Sequence, residues 1–388
     1  MKQYSRVHAD VDLDALEDNV ALIRDNIQSS TQIIAVIKTD GYGHGAVALL
    51  TVLEQEEKIW GYAVATLEEG RILRNHGTKK PILILGYSFK DQYEEISRLQ
   101  IRPSISNYEA AEHLSGIAQK LQITVPVHIK IDTGMSRIGF QVTEAQADII
   151  AEISKLPNIF IEGIFTHFAS SDAKDKTFAE GQYKQYQKML DFLSDRQVGI
   201  PFHHVSNSAA IIDLPEYNLD LVRAGIILYG LAPSDETNFY KWGFRPVLSL
   251  KSQIVHIKEL EIGRSVSYGC TYQLKKKEKI ATVPVGYGDG YPRSLSNKGY
   301  VLIRGQRAPI RGRICMDQFM VDVSHIEGVS CQDEVTLIGT DGKESITLEM
   351  IGNWSERFNY EFACDLGKRI PRNFYKKGKL VMQQDYFE

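Results

Sequence analysis

The chain has 388 residues, of which 43% are hydrophobic and 24% charged, and its formal net charge is -4. This length exceeds one ordinary core, so we expect two domains or a large barrel with an appendage. The near balance of charge, with only short basic runs at 275–279 and 375–379, predicts neither a nucleic-acid nor a membrane partner.

The N-terminal stretch and the cysteines indicate the cellular compartment. MKQYSRVHADVDLDAL has no apolar h-region, and no apolar run approaches the roughly 20 residues that span a membrane. No two cysteines form a CxxC pair, so we expect neither a metal site nor a disulfide framework. These features predict a cytoplasmic protein with reduced thiols.

Short β-rich runs alternate with longer helical patterns over roughly the first 230 residues. The candidate strands are 7–13, 32–38, 60–66, 81–87, 101–107, 125–133, 159–168, the stretch around HHVSNS, and 219–225. The segments between them carry apolar residues at the three- and four-residue spacing of amphipathic helices. About eight strand–helix repeats favour a parallel sheet that closes into an α/β fold, a (β/α)8 TIM-like barrel.

The pattern changes at the polar segment 230–247, beyond which turn signals and not helices separate the strands. The candidate strand runs are VLSLKSQIVHIKEL, KIATVPVGY, YVLIRGQRAPIRGRI, FMVDVS and DEVTLIG. They predict a C-terminal, mainly antiparallel β domain. We therefore expect a barrel at 1–240 and a β domain at 241–388, with the alternative that the first few residues pack with the β domain.

Polar residues at the ends of the barrel strands form a coherent set. In a parallel barrel the carboxyl ends of the strands converge on one face, where active sites lie. The residues placed there are Lys38, Lys130, Arg137, His167, His204, Asn207, Ser208 and Arg223. Because cations dominate this set, it suits an anionic ligand such as a phosphate together with a substrate carboxylate.

Each of these residues also has an ordinary structural interpretation. A lysine after a strand is usually solvated, but the apolar run before Lys38, the GYGHG loop and the neighbouring cations favour a lowered pKa and a Schiff base. His167 and His204 are each compatible with a buried core histidine. Asn207 and Ser208 form an N-cap signature, and a helix N-terminus on that face also binds phosphate.

Three motifs of the β domain place polar and aromatic residues at turns. They are VSYG (266–269), VGYGDGY (285–291) and RICMDQF (313–319). Ordinary turn and strand chemistry explains them about as well as a function does.

Taken together, these motifs resemble the alanine racemase family of pyridoxal-phosphate enzymes over essentially the whole chain. AVIKTDGYGHG is similar to the family's cofactor-lysine signature, which implies that Lys38 binds pyridoxal phosphate covalently and that Tyr42 contacts its phosphate. The family's loop is closer to KANAYGHG, whereas this chain has Asp40 and Gly41. We expect no effect of this difference on the chemistry.

The other motifs imply the remaining site. The resemblance assigns cofactor contacts to His167, Asn207, Ser208, Arg223, Gly225, Ile226 and Tyr360, and substrate contacts to Arg137, Tyr287, Met316 and Asp317. It implies that Arg223 bonds the pyridine nitrogen and that Lys130, once carbamylated, holds Arg137. It also implies that His204 lies behind the residues that contact the cofactor.

The family's reaction needs two bases on opposite sides of the substrate. Lys38 is expected to serve one side and Tyr268 the other, and the resemblance takes Tyr268 from the partner subunit of a homodimer. An arginine at the pyridine nitrogen leaves that nitrogen unprotonated, which favours racemisation over transamination.

The predicted activity is the interconversion of L-alanine and D-alanine, which supplies D-alanine for peptidoglycan. A serine or broad-specificity racemase of the same family is an alternative, because an apolar pocket rejects an added hydroxyl by only about 100-fold. Less favoured alternatives are a pyridoxal-phosphate decarboxylase, which has an acidic group at the ring nitrogen, and a barrel that binds the cofactor without turnover.

Overall fold

The computed structural model describes residues 2–388, which form two compact units. The barrel unit comprises Glu17–Gly41 and Leu49–Phe244, and the β unit comprises residues 2–16, Tyr42–Ala48 and Arg245–Glu388.

The barrel unit is built on parallel strands. Within residues 2–388 its eight principal strands, in sheet order, are Leu221–Ala224, Gln32–Val36, Ile59–Val64, Ile82–Ile84, Arg102–Ile105, Val125–Asp132, Ile159–Phe165 and Phe202–His204. A short strand, Phe140–Gln141, pairs with Val125–Asp132 outside this order. The Arg223 N–H donates to the Ser206 carbonyl over 3.0 Å and links the two end strands. The predicted TIM-like barrel is thus confirmed.

The helices of the barrel unit begin where the sequence offers capping side chains. Thr66, Asn107, Thr143 and Asn207 each accept a hydrogen bond from the amide three residues further on. The helices are Leu67–Asn75, Tyr93–Arg98, Tyr108–Leu121, Glu144–Ser154, Thr177–Asp195 and Ser208–Asp213, while Leu13–Asn26 and Ala46–Leu53 cross the unit boundaries. Their buried apolar residues recur at helical spacing, which packs one face against the barrel strands.

The β unit is mainly antiparallel. Its strands are Val7–Asp12, Leu248–Gln253, His256–Leu260, Ser265–Val266, Tyr272–Gln273, Glu278–Val283, Tyr300–Ile303, Gln306–Arg311, Phe319–Asp322, Glu334–Asp341, Glu344–Ile346, Arg372–Lys376 and Lys379–Gln384. This sheet confirms the predicted β architecture of the C-terminal region.

The first candidate strand does not lie in the barrel, which corrects the predicted strand–helix alternation. Val7–Asp12 pairs antiparallel with Leu248–Gln253 and parallel with Arg372–Lys376, so it belongs to the β unit. Its side chains alternate between buried and half-buried, as in a sheet with one covered face. The central barrel strands, by contrast, are buried almost continuously.

Two helices of the β unit, Leu348–Ser355 and Asn359–Asp365, were not predicted, since we expected only turns between strands there. Across residues 2–388, no helix combines the length and apolar character needed to cross a membrane.

Candidate active site

The turn after the first barrel strand is left-handed. Thr39, Asp40 and Gly41 have φ/ψ values of 53/49°, 51/48° and 63/44°. Glycine adopts this conformation readily, whereas each L-residue with a side chain costs about 1–2 kcal/mol. The turn begins at the half-buried Lys38, so a strained and well-defined backbone, not a loose glycine loop, carries the predicted cofactor lysine.

Glu69 binds this turn from the neighbouring helix. The Thr39 N–H donates to Glu69 Oε1 over 2.6 Å, and the Ala65 N–H donates to Oε2 over 2.7 Å. One carboxylate therefore joins the left-handed turn to the end of the strand Ile59–Val64. The sequence did not single out Glu69, because a glutamate in the first turn of a helix is ordinary there.

Four cations converge near His167. Burial lowers the pKa of His167 well below its usual value, and the nearby charges of Arg223, Arg137, Lys130 and Lys38 lower it further. The barrel therefore does bring these four sequence-predicted residues into one neighbourhood. A cluster with this charge suits an anion that carries more than one negative charge.

Lys130 is buried within this cluster, with 2% of its surface exposed. Burial, followed by the charge of Arg223, lowers its pKa to about 7. Its Nζ donates to the Ile131 carbonyl over 2.7 Å. At neutral pH a large fraction of Lys130 is therefore the neutral amine.

Arg223 is held by the barrel through both terminal nitrogens. Nη1 donates to the His204 carbonyl and lies 3.0 Å from His204 Nδ1, while Nη2 donates to the carbonyls of Thr166 and Val205. Within residues 2–388 the Nε–H has no hydrogen-bond acceptor. Burial lowers the pKa of Arg223 to about 9, so the guanidinium is still charged at pH 7. The Nε–H can therefore donate to a ligand.

Four of the predicted phosphate-binding residues lie together beside this arginine. Asn207 caps the short helix Ser208–Asp213, and the Gly225 N–H donates to Ser208 Oγ over 3.0 Å. Ile226 begins the 3-10 turn that follows. These hydroxyl and backbone groups suit phosphate oxygens.

His204 is buried below Arg223, and its ring stacks on Phe165 at 4.8 Å and 5°. It also contacts His128, which sequence analysis missed together with Glu162 and Arg102. Strand alternation offered a signal for His128, since it lies two residues before Lys130 and shares its face.

In the β unit, two of the predicted motifs contact each other. The Tyr287 N–H donates to the Cys315 carbonyl over 3.1 Å, and the Gly288 N–H donates to the Met316 carbonyl over 2.8 Å. Gly286 leaves no room for a side chain, because a Cβ there would overlap the Cys315 carbonyl. The Asp317 carboxylate binds Arg369 at 2.8 Å.

Three large side chains of the β-domain motifs are exposed on the single chain. Tyr268, Met316 and Tyr287 are 70%, 54% and 42% exposed. Tyr268 lies on a tight turn in which Ser267 and Cys270 have positive φ values. Tyr42 and Tyr360, also in the β unit, meet edge to face at 6.2 Å. Large exposed side chains at such turns are suited to binding rather than to packing.

Comparison with known proteins places the chain in a family. The sequence profile described as "Alanine racemase, N-terminal domain" matches residues 11–233, and "Alanine racemase, C-terminal domain" matches residues 247–374. This chain belongs to the alanine racemase family. The resemblance noted from its motifs is therefore confirmed.

Individual relatives support this family assignment over their full length. The alanine racemase of Clostridium tetani is 45% identical over 386 residues, which cover 99% of both chains. The structure of the Clostridium difficile 630 alanine racemase superposes with a TM-score of 0.96 at 41% identity, covering 100% of both chains. The Bacillus anthracis alanine racemase with bound L-Ala-P has a TM-score of 0.94 at 34% identity, covering 100% of this chain and 99% of that one.

Alanine racemases are pyridoxal-phosphate-dependent isomerases, and the described residues fit that cofactor. The barrel offers a lysine amine, a cationic surrounding for the phosphate and the open Nε–H of Arg223 for the pyridine nitrogen. The predicted cofactor and enzyme class are thus confirmed, while the roles of individual site residues stay predictions.

Proposed function

We propose that this chain interconverts L-alanine and D-alanine with bound pyridoxal phosphate and supplies D-alanine for peptidoglycan. The observation that carries the proposal is Arg223, a buried cation whose Nε–H is open to a ligand. A decarboxylase of related architecture has an acidic group at that place. An arginine donor favours return of the proton to the substrate carbon, because it does not protonate the ring.

Two bases move the α-proton. When bound, pyridoxal phosphate supplies an electron-withdrawing ring that stabilises negative charge on the substrate's α-carbon. Lys38 takes or returns the proton on one side, and Tyr268 of the partner subunit acts on the opposite side. Loss of either base should lower kcat by about 10²- to 10⁴-fold.

The remaining site residues bind and orient the cofactor and the substrate. We assign the phosphate to Tyr42, Asn207, Ser208, Gly225, Ile226 and Tyr360, and the substrate to Arg137, Tyr287, Met316 and Asp317. His167 contacts the cofactor, and its lowered pKa keeps the ring neutral beside the cations. Lys130 as a carbamate holds Arg137, and His204 supports Arg223 from behind.

The proposed working unit is a homodimer with composite sites in the cytoplasm. The exposure of Tyr268, Met316 and Tyr287 on the single chain supports it, because these side chains are available to a second copy. We also propose that residues 1–240 hold the cofactor and residues 241–388 supply Tyr268, with the first few residues packing with the latter.

Incubation of the purified holoenzyme with L-alanine tests the proposed function. We expect D-alanine to accumulate to an equal mixture, with Lys38→Ala inactive and without the absorbance of lysine-bound cofactor. Release of carbon dioxide would indicate a decarboxylase, and no product would indicate a cofactor-binding protein. Parallel kinetics with L-serine decide between an alanine-selective and a broad racemase.

A further inference from the structure

A chain of hydrogen bonds runs from Arg223 to the half-buried carboxylate of Glu162. Arg223 Nη1 lies 3.0 Å from His204 Nδ1, and His204 Nε2 lies 2.9 Å from His128 Nδ1. His128 Nε2 lies 3.3 Å from Glu162 Oε2. Arg102 donates to both carboxylate oxygens of Glu162, over 3.0 and 3.3 Å. Both histidines are fully buried, so the two rings are shielded from water.

The two ends of this series of hydrogen bonds, Arg223 and Glu162, determine which nitrogen of each histidine carries the proton. A guanidinium only donates, so His204 Nδ1 must accept from Arg223 and His204 Nε2 must carry the proton. His128 Nδ1 then accepts from His204, and His128 Nε2 donates to Glu162. A carboxylate only accepts, so Glu162 completes this direction of donation without conflict.

The charge states agree with this assignment. Burial lowers the pKa of His128 and, more strongly, that of His204, so each ring is neutral with one N–H. Burial would raise the pKa of Glu162, but hydrogen bonds from His128 and Arg102 outweigh it and lower the pKa. The carboxylate therefore stays ionised at neutral pH.

The strand geometry is built to turn Glu162 toward His128. Val127 pairs with Ile161 but His128 pairs with Gly163, so the register passes over Glu162 in a bulge. Bulges redirect side chains and recur near active sites. Gly163 also makes room for the ring, because a Cβ there would lie 2.5 Å from His128 Nδ1.

We infer that Glu162 is a positioning residue that fixes the tautomers of His128 and His204 and thereby the orientation of the Arg223 guanidinium. Its effect on the reaction rests on the proposed function, in which Arg223 faces the pyridine nitrogen. Disordering that guanidinium should raise transamination relative to racemisation, because the nitrogen then loses its fixed donor.

Glu162→Met tests the inference, because it removes the acceptor of the His128 Nε2–H. Arg102 Nε and His128 Nε2 both donate to the same oxygen of Glu162, Oε2, so the carbonyl of Glu162→Gln can keep both bonds. Without an acceptor, His128 also populates the tautomer with its proton on Nδ1, which sets its N–H against the His204 N–H and disorders the support of Arg223. We expect pyridoxamine phosphate formation per racemisation turnover to rise about tenfold in Glu162→Met and to stay unchanged in Glu162→Gln.

Nitrogen-15 solid-state NMR of histidine-labelled holoenzyme gives the direct readout, independent of activity. The wild type should show His128 and His204 protonated at Nε2, and Glu162→Met should shift His128 toward Nδ1. Glu162→Gln, which keeps the acceptor but not the charge, should retain the wild-type tautomers and partition ratio. A Glu162 that acts only through its charge would make Glu162→Gln behave like Glu162→Met.

Glu95→Met is the matched control, since Glu95 forms an exposed pair with Arg71 through the same Nε and Nη2 atoms. It should leave the tautomers and the ratio unchanged. An Nδ1–H on either histidine of the wild type overturns the inference, even if Glu162→Met does not fold. Unchanged tautomers in Glu162→Met, or an Nδ1–H in Glu162→Gln, also overturn it. A wild type that makes no D-alanine contradicts the proposed function alone, since the tautomers are measured separately.

Discussion

At the scale of single residues, Lys130 shows how burial prepares a side chain for chemistry. Its pKa is lowered to about 7 by burial, with Arg223 the next cause. A surface lysine is almost entirely protonated at that pH. Carbon dioxide adds only to a neutral amine, and the resulting carbamate is an anion that the surrounding cations stabilise.

The prediction is that Lys130 forms a carbamate and that its yield rises as the pH rises through about 7 at constant carbon dioxide pressure. The sign follows because deprotonation of a lowered-pKa lysine increases the neutral amine across that range. Carbon-13 NMR in labelled carbon dioxide should show a carbamate signal. Lys130→Arg, which has no such amine, should remove it. A signal that survives this substitution would assign the carbamate elsewhere.

The residues at strand ends could be predicted because strand alternation and barrel geometry place them together. Lys38, Lys130 and Arg223 follow from position and charge alone. Glu162 could not be predicted, because a bulge turns it against the expected alternation. The exposed Tyr268 was predicted from family resemblance alone, and nothing in its own sequence setting distinguishes it from a turn residue.

At the scale of elements, the left-handed turn from Lys38 shows strain held in place by a specific contact. Thr39 and Asp40 adopt a conformation that costs each about 1–2 kcal/mol. The Glu69 carboxylate binds the Thr39 N–H and the Ala65 N–H at 2.6 and 2.7 Å. This contact offsets part of the strain and fixes the start of the turn.

We predict that Glu69→Ala lowers the free energy of unfolding by about 1.5–3 kcal/mol, because two amides lose a charged acceptor. It should also weaken retention of the cofactor absorbance on dilution. Glu68→Ala is the control, since Glu68 is exposed and lies in the same first helical turn. Urea denaturation of both variants measures the difference. Equal midpoints would show that the Glu69 contact does not stabilise the turn.

Element boundaries were predictable where pattern and propensity agree. The barrel strands lie within a few residues of the predicted runs, since each is a short apolar stretch bounded by polar residues. The helices Leu348–Ser355 and Asn359–Asp365 were missed because they are short and lie among strands. The left-handed turn was missed because Thr39 carries no signal for positive φ and Asp40 carries only a weak one.

At the scale of the whole molecule, the strand–helix repeats made the fold class predictable. The pairing of strands that are far apart in the sequence could not be predicted in the same way. Eight strand–helix repeats predict a barrel from local pattern alone. The pairing of Val7–Asp12 with Arg372–Lys376, at the other end of the chain, has no local signal beyond its alternating burial. The proposed assembly with a second copy likewise has no signal in the local pattern, and the exposed Tyr268 is the feature that supports it.

Heterodimer complementation tests the central claim that Lys38 and Tyr268 of the partner subunit form one catalytic site. Lys38→Ala and Tyr268→Phe chains carrying different tags are co-expressed, and heterodimers are isolated through both tags. Each homodimer should be at least about 100-fold less active than the wild type. The heterodimer should recover about half of the wild-type racemisation rate, because one of its two sites has both bases. A heterodimer no more active than either homodimer would contradict the account, because the two bases would then belong to the same chain.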